Sequence, residues 1–319
     1  MGMINRTMVR TRVVQTLFAY YKDSDKTLLS ARKELNKSFA DTYDLYFALL
    51  DFANELTAYA QRELEGQVAR ARATHSSWKP NKRFVWNRLA QQLFDNRALR
   101  SRVQEQQLSW DSGMTAVADV YRKLTESDFY RLYMEADSCT YEDDKRIWRQ
   151  IYQHLLTENE VLYDALEEME LVLDKANWAV DADVVISYVI KTIKRFKEDS
   201  KPDTPLLEMF DSEEEIKFAS TLLEKAIKEH DRFEQLINSH LKGWDADRIA
   251  YMDRIIIGAA LAEITEFEDI ALTVSMNEYI ELAKEYSGDK SYMFINGILT
   301  EILRDMKHDG SLFKALSVK

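Results

Sequence analysis

Glycine and proline are scarce in this chain. In 319 residues there are 8 Gly and 3 Pro, and the prolines, Pro80, Pro202 and Pro205, stand at only two places. Sheet folds turn at corners those residues supply, so turn-rich β architectures are excluded and the expected class is all-α. The length suits about two domains, or one with a large insertion, and a core that needs no covalent staples. The single cysteine, Cys139, forms no internal disulfide or thiolate cage, which points to a reducing, cytoplasmic setting. No uncharged apolar stretch of about 18 residues occurs. The chain opens on Asn5, Arg6, Arg10 and Arg12 rather than on the apolar run of a secretion signal. Neither a membrane partner nor export is expected.

Apolar spacing of three and four supports helix almost everywhere. Val9, Val13, Leu17 and Tyr20 mark a first helix over about 5–22. A second is predicted over about 27–38 and a long third over about 41–73. The third breaks at 74–80, a Ser-rich stretch ending in proline. Helix is expected again over 83–107, interrupted at 109–113. Thr140 with Asp143 marks a cap, and Thr157 with Glu160, Ser212 with Glu215 and Ser275 with Glu278 have the spacing of capping boxes. Residues 201–205, with two prolines, read as a linker. Beyond it the spacing gives a helix from 213 to about 241 with Gly243 as its cap. Asp245 caps the next, and a final helix follows Gly288 and Asp289.

Net charge is −12, which alone disfavours a nucleic-acid ligand. Residues 1–110 nevertheless hold 18 Lys and Arg against 11 Asp and Glu, whereas the remainder holds 25 against 44. A basic first third on an acidic body suits a local polyanion site; solvated faces of differing sign are the plainer alternative.

Catalytic signatures are missing. The glycines are isolated, so no phosphate-cradling loop is present. The five histidines form no metal motif, although His230 and His240 lie ten residues apart. Cys139 is followed by Glu142, Asp143 and Asp144, which disfavour a thiolate. No catalytic residue, metal or cofactor is expected. Between Trp78 and Trp110 aromatic and basic residues interleave, a pattern that fits either buried core or a stacking platform for single-stranded nucleic acid.

Four motifs in the last third carry a family resemblance. FASTLL at 218–223 leads to LKGW at 241–244, and Arg248 and Ile249 precede DRIII at 253–257. VSMNEYIELAK at 274–284 follows the pattern V-x-I-N-E-x-x-E-L-A-K, and FINGIL at 294–299 follows F-V-N-G-V-L. Near the start, RTRVVQTLFAY at 10–20 is similar to an arginine-led first helix, R-x-x-A-V-Q-A-L-Y. Together these resemble the NusB family of transcription antitermination factors. The likeness covers roughly 4–40 and 208–306, which divides the chain into an N-terminal part (1–40), a helical insertion of unknown role (41–207) and a C-terminal bundle (208–319).

The resemblance implies two small helical bundles and a non-enzymatic, RNA-binding protein. It implies a boxA-type single-stranded RNA, bound together with the small-subunit ribosomal protein NusE. Other Nus factors and RNA polymerase would be engaged indirectly, and a homodimer stays open. Arg6, Arg10, Arg12, Gln15, Phe18, Lys290, Ser291 and Phe294 are the implied RNA-binding residues, and Asp253, Ile257 and Glu263 the implied partner-binding ones. Arg6 and Arg10 share one side of the first helix, whereas Arg12 points elsewhere. Departures from the pattern are Phe18 for a common tyrosine, Lys290 for an acid, and Gly258 for a common arginine. Gly258 and Gly297 read as close-packing positions. A helical protein-interaction scaffold without RNA binding is the alternative.

Overall fold

The computed structural model describes residues 2–241, 250–288 and 290–312. The expected cap residues Gly243, Asp245 and Asp289, with Trp244, Arg248 and Ile249, lie outside the described residues. Among the described residues are fourteen α-helices and one π-helical turn. The chain divides into two compact units, residues 1–39 with 209–319, and residues 40–208.

The first unit contains α1 (Arg6–Lys22), the start of α2 (Leu28–Ala73), α10 (Glu213–Lys228), α11 (His230–Ser239), α12 (Tyr251–Glu266), α13 (Leu272–Tyr286) and α14 (Ser291–His308). The central helix is α12, which packs against α1, α10, α11, α13 and α14. Its sequence is apolar on nearly every side, as a helix enclosed by neighbours requires, and Ile256, Ile257, Ala259, Ala260 and Leu261 are fully buried. The first residues are fastened to the second half of the chain, because the Ile4 N–H donates to the Met209 carbonyl at 2.8 Å. A Cβ at Gly2 would overlap the backbone of Phe210 and Asp211, so that approach needs glycine.

The second unit holds the rest of α2, then α3 (Arg88–Asp95), α4 (Arg97–Glu105), α5 (Met114–Glu126), α6 (Asp128–Glu135), α7 (Tyr141–Ile151), the π-helical turn (Tyr152–Leu156), α8 (Glu160–Leu173) and α9 (Trp178–Arg195). Large aromatics form its core, and each finds a partner for its polar atom. Trp110 donates to the Ala48 carbonyl at 3.0 Å, Trp148 to Asn87 Oδ1 at 3.1 Å, and Trp178 to the Asp41 carbonyl at 2.8 Å. Tyr152 donates to the Leu49 carbonyl at 2.6 Å. These bonds remove the penalty of burying an N–H or O–H unsatisfied.

Several expectations need correction. The two helices predicted over 27–38 and 41–73 are one continuous helix, since no Gly or Pro lies between 38 and 41 to interrupt it. The stretch 83–107 divides at Asn96, whose side chain caps α4 through the Leu99 N–H. The helix predicted from 213 to 241 is two, α10 and α11, joined at Glu229. Residues 201–205 are no free linker: the Arg97 N–H donates to the Pro202 carbonyl at 2.7 Å, and Asn96 Nδ2 to the Thr204 carbonyl at 2.9 Å.

None of the three expected capping boxes forms, whereas the cap expected of Thr140 with Asp143 is itself a full capping box. Asn159, not Thr157, caps α8, while the Thr157 hydroxyl donates to the Tyr152 carbonyl. Glu215 bonds Arg6 instead of closing on Ser212, and α13 begins at Leu272, before Ser275. Neither Gly258 nor Gly297 is a close-packing position, because a Cβ at either meets nothing within 4 Å.

Candidate functional site

Residues of the first helix and of the 274–284 motif meet in the interior of the first unit. Arg10 is 3% exposed and Glu263 0%. Arg10 Nε donates to Glu263 Oε2 at 2.7 Å and Nη2 to Oε1 at 2.9 Å, a bidentate pair. Arg10 Nη1 reaches Glu278 at 3.2 Å, and Thr7 Oγ1 donates to the same carboxylate at 2.8 Å. Glu263 also accepts from the Ser275 hydroxyl at 2.7 Å and the Tyr279 hydroxyl at 3.1 Å. Burial opposes the charge on Arg10, but the Glu263 carboxylate outweighs it and holds the guanidinium more firmly protonated than usual. Burial, and then the nearby Glu263 charge, push the Tyr279 hydroxyl well above its ordinary range. Ser275, Glu278 and Tyr279 therefore bind α1 to α12 and α13.

This placement changes the role expected of several residues. Arg10 and Glu263 face one another inside the unit, so neither the phosphate contact expected of Arg10 nor the partner contact expected of Glu263 is open to them as they stand. Ile257 is fully buried, and Asp253, 4% exposed, accepts from the Ser287 hydroxyl at the end of α13. Arg12 is also buried, and its Nη1 donates to Gln15 Oε1 at 2.7 Å. Arg6 is half-buried, bonded to Glu215 at 3.4 Å and resting over the Phe218 ring. The basic entrance expected at Arg6 and Arg10 is thus largely neutralised by carboxylates.

What remains on the surface forms a second set. Gln15 Nε2 donates to the Tyr286 hydroxyl at 3.3 Å, which brings the middle of α1 to the end of α13, four residues before Lys290. Lys290 is exposed, whereas Ser291 and Phe294 in the first turn of α14 are half-buried. Phe18, half-buried, lies 5.9 Å from the Tyr251 ring and carries the Lys22 ammonium 4.3 Å from its centroid. Lys22 and Tyr286 were missed in the sequence; the four-residue spacing of Phe18 and Lys22 was the available signal for the first. On α12 the surface strip is Tyr251, Arg254 and Gly258.

The charge division at residue 110 does not follow the fold. Residues 40–208 carry 22 Lys and Arg against 30 Asp and Glu, so that unit is itself acidic. The aromatic stretch is divided too: Phe84 and Trp110 are buried core, while Trp78, Trp86 and Phe94 are 43%, 70% and 56% exposed. Cys139 lies beside Asp144, and burial and that carboxylate push its thiol up. His230 stacks on Tyr21, whereas His240 bonds Asp305 at 3.0 Å. No group of residues able to hold a metal occurs among the described residues, and no described helix is long and apolar enough to cross a membrane.

Comparison with known proteins adds to this geometry. A family model described as the NusB family matches residues 184–304. The transcription antitermination protein NusB of Bacillus pumilus is 38% identical over 106 residues, 33% of this chain and 81% of that protein. That of Bacillus subtilis is 40% identical over 97 residues, 30% of this chain and 74% of that protein. That of Salinibacter ruber is 36% identical over 97 residues, 30% of this chain and 61% of that protein. No solved structure gives a significant match. The family match starts within α9 and leaves out α1.

Proposed function

The chain belongs to the NusB family, and from that premise we propose that it is an RNA-binding transcription antitermination factor. It takes a boxA-type single-stranded RNA together with the ribosomal protein NusE. The observation that carries the proposal is the Arg10–Glu263 pair with its neighbours Ser275, Glu278 and Tyr279. Through it α1, which lies outside the matched residues, is built into the same unit as the matched helices. Arg10 acts there by positioning. The residues proposed to meet RNA are the outward ones: Arg6, Gln15 and Phe18 on α1, and Lys290, Ser291 and Phe294 at the start of α14. Cations at Lys22 and Lys290 would contact phosphates, and the Phe18 ring offers a face for a base.

Residues 40–208 are proposed as an insertion into this frame. The partner-binding role expected of Asp253, Ile257 and Glu263 passes to the outward side of α12, where Tyr251 is exposed and Arg254 and Gly258 are half-buried.

A second reading is favoured by one observation, the pairing of Arg6 and Arg10 with carboxylates. It is a helical scaffold that binds the ribosomal protein without RNA. Fluorescence anisotropy of labelled boxA RNA, with and without NusE, separates the two. RNA binding that NusE strengthens and Lys290→Glu weakens supports the factor. NusE capture with no RNA binding at any protein concentration supports the scaffold and overturns the proposal.

A further inference from the structure

Among the described residues, a group of cations without ion pairs lies in the second unit. Within residues 40–208, the stretches 79–102 and 191–201 hold twelve Lys and Arg against three acids, while the rest holds ten against 27. The fold brings parts of these stretches together. Gln92 Nε2 donates to the Lys197 carbonyl at 3.0 Å and the Glu198 carbonyl at 3.1 Å, and the Arg97 N–H donates to the Pro202 carbonyl at 2.7 Å. Arg88, Arg102 and Arg83 are engaged internally, on Asp144, Asp44 and the Tyr133 carbonyl. Arg97, Arg100, Lys194, Arg195, Lys197 and Lys201 are exposed and make no ion pair among the described residues. Lys194, Arg195 and Lys197 line an open groove of about 530 Å³ with Tyr141 and Lys145. The acids facing that groove are Glu142, held by Lys145, and Glu198, held by Arg88. Asp95 and Asp199 are the other carboxylates of these segments, and Asp203 lies just beyond them.

Folding accounts for only part of this arrangement. Lys194 and Arg195 end α9, where the helix field favours cations. Arg97 and Arg100 stand in the first turn of α4, where the same field disfavours them, and no acid occupies that turn. Two exposed aromatics flank α3, Trp86 before it and Phe94 near its end. Cations that track a phosphate chain, with exposed rings on which bases can stack, suit single-stranded nucleic acid, and the Lys82 ammonium 4.8 Å from the Trp86 ring centroid adds a further cation beside one of them. A lipid surface would call for exposed aliphatic anchors, and this face offers none.

We infer that this face of residues 40–208 is an RNA-binding surface in its own right. Arg97, Arg100, Lys194, Arg195, Lys197 and Lys201 hold the phosphates of a single strand, and Trp86 and Phe94 are its stacking positions. It shares no residue with the surface proposed on α1 and α14, so the two stand or fall separately.

The test uses the full chain and a labelled oligouridylate of about 16 nucleotides, the upper size of a single-strand module. Anisotropy is followed from about 50 to 200 mM salt. In Arg97→Ala/Arg100→Ala/Lys194→Ala/Lys197→Ala the affinity at low salt is expected to fall at least tenfold. The log–log salt slope should shrink by about 3, at about 0.7 per lost phosphate contact. A Lys-for-Arg and Arg-for-Lys version of the same four positions should keep most of the binding, and circular dichroism should show both variants folded. Unchanged affinity and slope in the alanine variant would overturn the inference. So would loss of all oligouridylate binding on Lys290→Glu, or wild-type binding to phosphatidylserine vesicles without binding to the oligonucleotide.

Discussion

Arg10→Met removes half of an ion pair that lies beyond the reach of water. Glu263 has four donors: two from Arg10, one from Ser275 and one from Tyr279. The substitution leaves it two neutral ones. Charge-assisted hydrogen bonds contribute about 1.5–3 kcal/mol each, so losing two predicts about 3–6 kcal/mol, in line with the roughly 3–5 kcal/mol lost when one partner of a buried pair is removed. Glu278, half-buried, keeps its Thr7 bond and adds little. Urea unfolding at pH 7.5, followed by far-UV circular dichroism, measures the loss. Arg10→Met/Glu263→Leu removes both charges together and should recover most of it, because a well-packed apolar pair replaces a buried ionic one at little net cost. A loss below about 1 kcal/mol in the single variant, or a double variant no more stable than the single, would refute the assignment of this pair as the internal tie of α1.

Further expectations concern the rest of the fold. Gly258→Ala and Gly297→Ala each place a methyl where nothing lies within 4 Å, so each should raise stability by about 0.5–1 kcal/mol in chemical denaturation. Burial pushes the Asp51 carboxyl up to about 6 against an Asn54 bond that lowers it. Its folded form therefore favours the proton: stability from this group is fully present below about pH 4 and is lost as the pH rises through 6. Asp51→Asn should be neutral near pH 4 and stabilising by about 2–3 kcal/mol at pH 8 in urea titrations at the two pH values. The Cys139 thiol, raised by burial and by Asp144, should react with a disulfide reagent at pH 7.5 more slowly than a free thiol, and Asp144→Asn should speed it.

The class of fold was legible because scarce Gly and Pro leave helix as the continuous structure, and because apolar residues recur at helical spacing along elements such as α1 and α12. Boundaries were less so. A chain break was read between 38 and 41, yet Ser38 donates to the Leu35 carbonyl inside an unbroken α2. Capping boxes failed where a distant charge outbid the local amide: Arg6 draws Glu215, and Arg10 with Glu263 draws Ser275 and Glu278. The pairs Arg6–Glu215 and Arg10–Glu278 span more than 200 residues, so no local spacing reveals them. The same holds for the site. Spacing placed Arg6 and Arg10 on one side of α1, which the helix respects, but whether that side faces water or a carboxylate is decided by α10, α12 and α13. The stretches that carry the cations Arg97 and Lys197 are brought together only through the contacts of α3 and the start of α4 with residues 197–202. The aromatic stretch from Trp78 to Trp110 could be read either way because it is both, core at Phe84 and Trp110, and surface at Trp86 and Phe94.

Hydrogen exchange of the full chain, alone and with boxA RNA and NusE, reports directly on whether α1 and α14 meet RNA. Slowed exchange on the exposed side of α1 around Gln15 and Phe18, and in the first turn of α14 around Lys290, is predicted when RNA is added. RNA-dependent protection absent from both segments, with the RNA bound, would contradict the assignment of this unit as the family's RNA-reading frame.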